Sequence, residues 1–328
     1  CNPDRPSRRA SSSPPLMRNR MATSGSNPVA PEGSVNGPAA EAQEGMVMRQ
    51  FKKFPITPLI TIFGLLGSFC TYAVMFPEYV DLGSKVGIML LVLLALMIYL
   101  YVAVPPIPQD QKYHNFADKR CLCCKVPNTF DVVSNVPFMF VGIGSLVLQH
   151  AGILKLEADP TVQWSWSFLF VSYIAIGFGS SYYHWAPTNA TLVWDRLPMT
   201  LAFTSLTAIV VHEHAGTGIE TMPFLVLAGI WSVWYWGRTD DLRPYAFVQG
   251  FPMLTLPFFL ALFPAKYDSR AYYIFALVWY AVARVTEIND REIFHATGRR
   301  ISGHSIKHLA AAVGLCMITR MLTVRNEI

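Results

Sequence analysis

An all-α, polytopic membrane helical bundle is the fold class this sequence predicts, and three observations predict it. Of the 328 residues, 52% are hydrophobic and 14% charged, against roughly 25% charged in soluble domains. The mean hydropathy is +0.34. Runs of about 20 apolar residues recur along the chain, the length that spans a bilayer core as helix. They are too long and continuous for barrel strands, and in lipid only helices or closed barrels satisfy their own backbone groups.

Residues 1–50 are rich in Ser, Pro, Asn, Gly and Arg and lack apolar periodicity. This predicts a disordered tail or a targeting segment. No cleavable signal peptide stands out; the chain opens on Cys1, with Met17 and Met21 as candidate starts. Residues 51–108 hold two apolar helices, near 57–76 and 85–104, closed by Pro105-Pro106-Ile107-Pro108. Residues 109–130 read as a polar, solvated connector carrying His114, Asn115 and Asp118. Its Cys121-Leu122-Cys123-Cys124 cluster reads as unmodified juxtamembrane thiols rather than as a disulfide framework or a metal knot. Seven further apolar runs occupy 131–321, near 131–150, 165–184, 193–212, 222–236, 245–263, 271–287 and 303–321, before a short tail at 322–328. Two plus seven gives nine expected spans.

The net charge of +5 does not signal nucleic-acid binding. Arg5, Arg8, Arg9, Arg18, Arg20, Arg49, Lys52 and Lys53 precede the first run. With nine spans, the tail shares a side with the connections near 105–130, 185–196, 237–244 and 288–302. Those carry most of the remaining Lys and Arg, so this side is expected to face the cytosol, or a stroma or matrix.

Polar residues at helix ends carry the chemistry. Ser180 and His184 are four apart near the end of one run, hence on one helix face. Pro187 and Thr188-Asn189-Ala190-Thr191 break that helix, and Asp195 is expected at the start of the next. His304 and His308 form a second pair one turn apart at the start of the last run. The span count places all five on the tail side at one membrane depth. A lone His-x-x-x-His is common, and a lone intramembrane Asp can simply line a polar cavity. Three imidazoles at matching helix ends are instead the ligand number of a catalytic zinc, with Asp195 as base and Ser180 as hydrogen-bond donor. By contrast, His212, Glu213 and His214 are expected in a loop on the opposite side. Glu287, Asp290, Arg291 and Glu292 are expected to pair ordinarily at a helix end.

Gly179-Ser180-x-x-x-His184, Asp195, Leu197-Pro198-Met199 and His304-x-x-x-His308 together resemble the alkaline ceramidase family. That family belongs to a seven-helix hydrolase superfamily that includes the progestin and adiponectin receptors. The pattern covers about 115–321, with Asp131-Val132-Val133-Ser134-Asn135 opening the core, and is closest to ceramidase-like proteins of bacteria and photosynthetic eukaryotes. The resemblance implies a seven-helix hydrolase core behind two additional N-terminal helices. It also implies a zinc amidase cleaving the N-acyl bond of ceramide or a related acyl lipid into a sphingoid base and a fatty acid. Carried over, His184, His304 and His308 would bind Zn2+, Asp195 would act on the attacking water, and Ser180 would polarise the amide carbonyl. Calcium is not expected, because the acidic, Trp-containing segment that binds it reads Tyr113-His114-Asn115-Phe116-Ala117-Asp118 here. The family's Asp-Glu-Leu-Pro-Met is Asp195-Arg196-Leu197-Pro198-Met199. Alternatives are hydrolysis of another acyl lipid and a receptor of the progestin and adiponectin type. The expected setting is an endomembrane or organellar bilayer, with no nucleic-acid partner.

Overall fold

The computed structural model describes residues 56–122, 125–216 and 218–328. The expectations for the tail at 1–50, and for Cys123 and Cys124, fall outside the described residues. Eleven α-helices run in order among these residues. They are α1 Ile56–Met75, α2 Leu82–Val102, α3 Thr129–Val133, α4 Val136–His150, α5 Pro160–Trp185, α6 Asn189–Ala215, α7 Met222–Thr239, α8 Arg243–Leu262, α9 Ala271–Ile288, α10 Asp290–Ala296 and α11 Gly303–Val324. Each of the nine apolar runs falls on a long helix.

Seven of these stretches are long and apolar enough to cross a membrane: α1, α2, Thr129–His150, α5, α8, α9 and α11. The chain thus has multi-pass membrane character. Its outer surface agrees, since Ile60, Leu91, Phe140 and Phe224 are all exposed, a burden that water penalises and lipid does not. The helices α6 and α7 fall outside that set of seven. In α6, Asp195, Arg196, Glu213 and His214 are polar yet buried, because they face the bundle interior rather than lipid.

Neighbouring helices pack in chain order from α4 to α8, and α11 packs on both α9 and α4. The hairpin of α1 and α2 packs on α8. Trp166, Phe170 and Tyr173 of α5, Ile209 of α6, and Ile318 and Met321 of α11 form the centre of the main core. A second core joins Leu66 of α1 and Val92 and Leu96 of α2 to Leu262 and Phe263.

Two glycines set the approach of the helices that carry the polar residues. A Cβ on Gly179 would strike the Trp194 carbonyl of α6. Pro198, four residues on from Trp194, has no N–H to donate to that carbonyl. A Cβ on Gly303 would strike the Thr286 carbonyl and the Asp290 backbone, so α11 can seat its first turn against α9 and α10 only as glycine.

Three local expectations change. Asn189-Ala190-Thr191 already belong to α6, which Thr188 caps in a reciprocal box with Thr191, so Asp195 stands in its second turn rather than at its start. His212, Glu213 and His214 form the last turn of α6 rather than a loop. Glu213 is buried there, paired with Arg325 and accepting from the Tyr273 hydroxyl at 2.6 Å.

Candidate metal centre

The last turn of α5 and the first turns of α11 meet in the bundle. Pro187 follows the end of α5 at Trp185, and Asn128 donates to the His184 carbonyl at 2.9 Å. At α11, Ser302 is the N-cap; its hydroxyl accepts from the Ser305 N–H at 2.9 Å and donates to Asp131 Oδ1 at 2.9 Å. Ser305 also donates to that oxygen, at 2.7 Å. Asp131 thereby ties the start of α11 to α3. The His304 N–H donates to Asp290 Oδ1 at 2.8 Å.

These constraints bring His184, His304 and His308 together. One ring nitrogen from each lies within 4.8 Å of the other two, and all three residues are buried. Ring centres are 4.7 Å apart for His184 and His304, and 4.9 Å for each with His308.

The hydrogen-bond arrangement fits a cation. The Ser134 hydroxyl donates to the Asp131 carbonyl at 3.2 Å, so its oxygen is left to accept from His308 Nδ1–H at 2.7 Å. This leaves His308 Nε2 as a lone pair, and that atom is buried without a partner. The Nε2 atoms of His184 and His304 face each other at 3.3 Å. Two nitrogens each about 2.0–2.1 Å from a tetrahedral ion would be separated by about 3.3 Å. Without a cation, the unpartnered Nε2 of His308 would cost about 1–3 kcal/mol. The trio could hold a metal ion.

Ser180 and Asp195 join this centre. The close approach of α5 and α6 at Gly179 sets them on the wall of one cavity. Together with Lys307 and His308 they line one end of a cavity of about 130 Å³. The rest of its wall is largely apolar, including Phe138, Met199, Leu256, Leu277 and Leu315. All five residues expected from sequence therefore gather at one end of the helical core.

Other neighbours were not expected. Lys307 Nζ lies 2.7 Å from Glu287 Oε1 and 3.3 Å from His304 Nε2. Glu287 also pairs with Arg284 and accepts from the Tyr113 hydroxyl at 3.3 Å. Glu287 and Asp290 thus brace the centre instead of merely pairing at a helix end. The available signal for Lys307 was its position three residues after His304, on the same helical face.

The connector differs most from expectation. Phe116 and Asp118 pack inward over the centre, while Asp110, Gln111, Lys112, Asn115 and Lys119 stay exposed. Phe116 is buried, with its ring 4.6 Å from His184 and 4.8 Å from His304. Asp118 is fully buried and paired with Arg120 at 2.6 Å. His114 bonds Tyr183 at 2.9 Å and Asn189 at 2.8 Å, which occupies both its nitrogens. The Ala117 N–H reaches Asp290 Oδ2 at 2.9 Å. Farther back, Asp240 and Asp241 accept from the Gln109 and Ile107 N–H groups at 3.0 and 3.2 Å. Phe116 gains by leaving water for the flank of the imidazoles, and beside it His114, Asp118 and the Ala117 N–H each have a partner.

Comparisons with protein-family models, with curated proteins and with solved structures gave no match, so the resemblance to the ceramidase family rests on the sequence motifs alone.

Proposed function

We propose that this chain is an intramembrane zinc-dependent amidase that hydrolyses the N-acyl bond of ceramide-type lipids to a sphingoid base and a fatty acid. The observation that carries the reading is three buried imidazoles beside Ser180 and Asp195 at one end of a largely apolar cavity. His184, His304 and His308 hold the metal, and an all-imidazole set suits zinc. When bound, the ion supplies the Lewis acidity that makes water a nucleophile near neutral pH.

The remaining roles belong to the chain. The apolar wall takes the acyl chain and sets the amide carbonyl at the polar end. Ser180 donates a hydrogen bond to the carbonyl oxygen as it gains charge. Asp195 takes a proton from the attacking water and returns it to the departing nitrogen. Lys307 adds positive charge beside His304, held in place by Glu287. Phe116 excludes bulk water from the connector side. The basic connections support the reading that this end of the bundle faces the cytosol.

The test is fatty-acid release from a panel of ceramides by purified protein in detergent, beside His308→Ala. Release by the wild type and none by the variant supports the assignment. No release from any ceramide by folded, metal-loaded protein ends it and turns the search to other acyl lipids.

A further inference from the structure

Next to Asp195 stands a cation for which the described residues supply no hydrogen-bonded counter-charge. Arg196 of α6 is buried, at 6% exposure. Its Nη2 donates to the neutral amide of Gln109 at 2.6 Å, while its Nη1 is buried without a hydrogen-bond partner among the described residues. The guanidinium carbon lies 4.1 Å from the ring centre of Trp236, 4.7 Å from that of Tyr245 and 5.8 Å from that of Tyr113. The rings attract the charge, but such contacts do not replace the hydration a buried ion loses.

The nearby carboxylates do not bond it. Glu287 is shared by Lys307, Arg284 and Tyr113. Asp195 is near enough to attract Arg196, but neither Nη1 nor Nη2 bonds it. Tyr113 links the two groups of charge, since its ring lies beside Arg196 and its hydroxyl bonds Glu287 beside Lys307. Arg196 thus sits on the connector side of the centre, where the polar half of a lipid would remain once its acyl chain had entered the cavity.

We propose that Arg196 receives an oxyanion, a carboxylate or a phosphate, carried on the polar half of the lipid substrate. The guanidinium fork suits such a group, because its remaining N–H donors lie in one plane and the bonds they make are charge-assisted. The inference rests on the lipid-hydrolase reading and narrows it to lipids whose amine portion is anionic.

The test is equilibrium binding to the full-length, metal-depleted protein in neutral detergent, where no turnover occurs. Tryptophan fluorescence reports it, since Trp236 touches the guanidinium. The probes share one acyl chain and differ only in the polar half: N-acylethanolamine, N-acylglycine and N-acylethanolamine phosphate. An anionic probe is expected to bind at least about tenfold more tightly than the neutral one, and the tighter of the two names the oxyanion. Arg196→Gln should bring the anionic-to-neutral ratio close to one, whereas Arg238→Gln, which removes an exposed cation of α7, should leave it as in the wild type. Should Arg196→Gln fail to fold, Arg196→Lys keeps the charge without the fork and should lower the ratio.

A wild-type ratio near one overturns the proposal, as does a full ratio in Arg196→Gln or Arg196→Lys. Anion binding through Arg196 in a protein that releases no fatty acid would keep this site and remove the amidase assignment. Fatty-acid release without anion preference would do the reverse.

Discussion

His308 Nδ1 lies 2.7 Å from the Ser134 hydroxyl, across 174 residues of sequence. With the Ser134 proton on the Asp131 carbonyl, 3.2 Å away, the hydroxyl accepts from Nδ1–H and leaves Nε2 as the lone pair. A ligating histidine whose second nitrogen is held in this way is oriented and made more basic. Ser134→Ala is expected to weaken metal binding about 10–100-fold, read by competition against a chelator. An unchanged affinity in a folded variant would show that the hydroxyl does not set the ring.

Metal removal should cost stability. Three buried imidazoles without a cation leave unpaired polar atoms in the core, and a ligand that binds only the folded state stabilises it by mass action. At a free concentration one hundred times Kd the gain is about 2.7 kcal/mol. Thermal unfolding of chelator-treated protein should rise on adding zinc, and His304→Ala should not respond. Identical curves with and without zinc in the wild type would argue against a metal centre.

Gly179→Ala probes the seam between α5 and α6. Its Cβ would strike the Trp194 carbonyl, and overpacking of this kind typically costs about 1–3 kcal/mol. The two helices must part, which separates Ser180 from Asp195. Hydrolysis should therefore fall more steeply than metal content, measured on the same preparation. A fall confined to metal content would place the damage at His184 instead.

The anchor of the connector should be acid-sensitive. Burial alone would raise the Asp241 carboxyl, but the Arg243 guanidinium and the Arg243 and Ile107 N–H groups outweigh it and hold it below its ordinary value. A depressed carboxylate contributes stability that is fully present above its unfolded pKa, about 3.9, and lost as pH falls through the lower folded value. Unfolding temperature should drop below about pH 4, and less steeply in Asp241→Asn. Parallel profiles would show that this pair does not govern the acid limb.

Much of this protein is local and therefore readable from the chain. All nine apolar runs fall on helices, and seven of the helical stretches are long and apolar enough to cross a membrane, where a backbone must bond within its own segment. His304 and His308 are one turn apart on any helix, as are Ser180 and His184. Pro187 and Thr188 mark the break between α5 and α6, although the Thr188 box started α6 earlier than its apolar stretch suggests.

What the sequence by itself determined was the helical membrane class, the helix order and the five polar residues that gather at one end. The tertiary structure alone decided the rest of the site. Folding the connector over the imidazoles places Phe116 against His184 and His304 and joins Gln109 to Arg196 across 87 residues. Seating α11 against α9 at Gly303 brings Lys307 to Glu287. The reason is physical: a helical period places residues three and four apart, whereas desolvation decides which distant charges must meet, and only the packed bundle sets who is near whom.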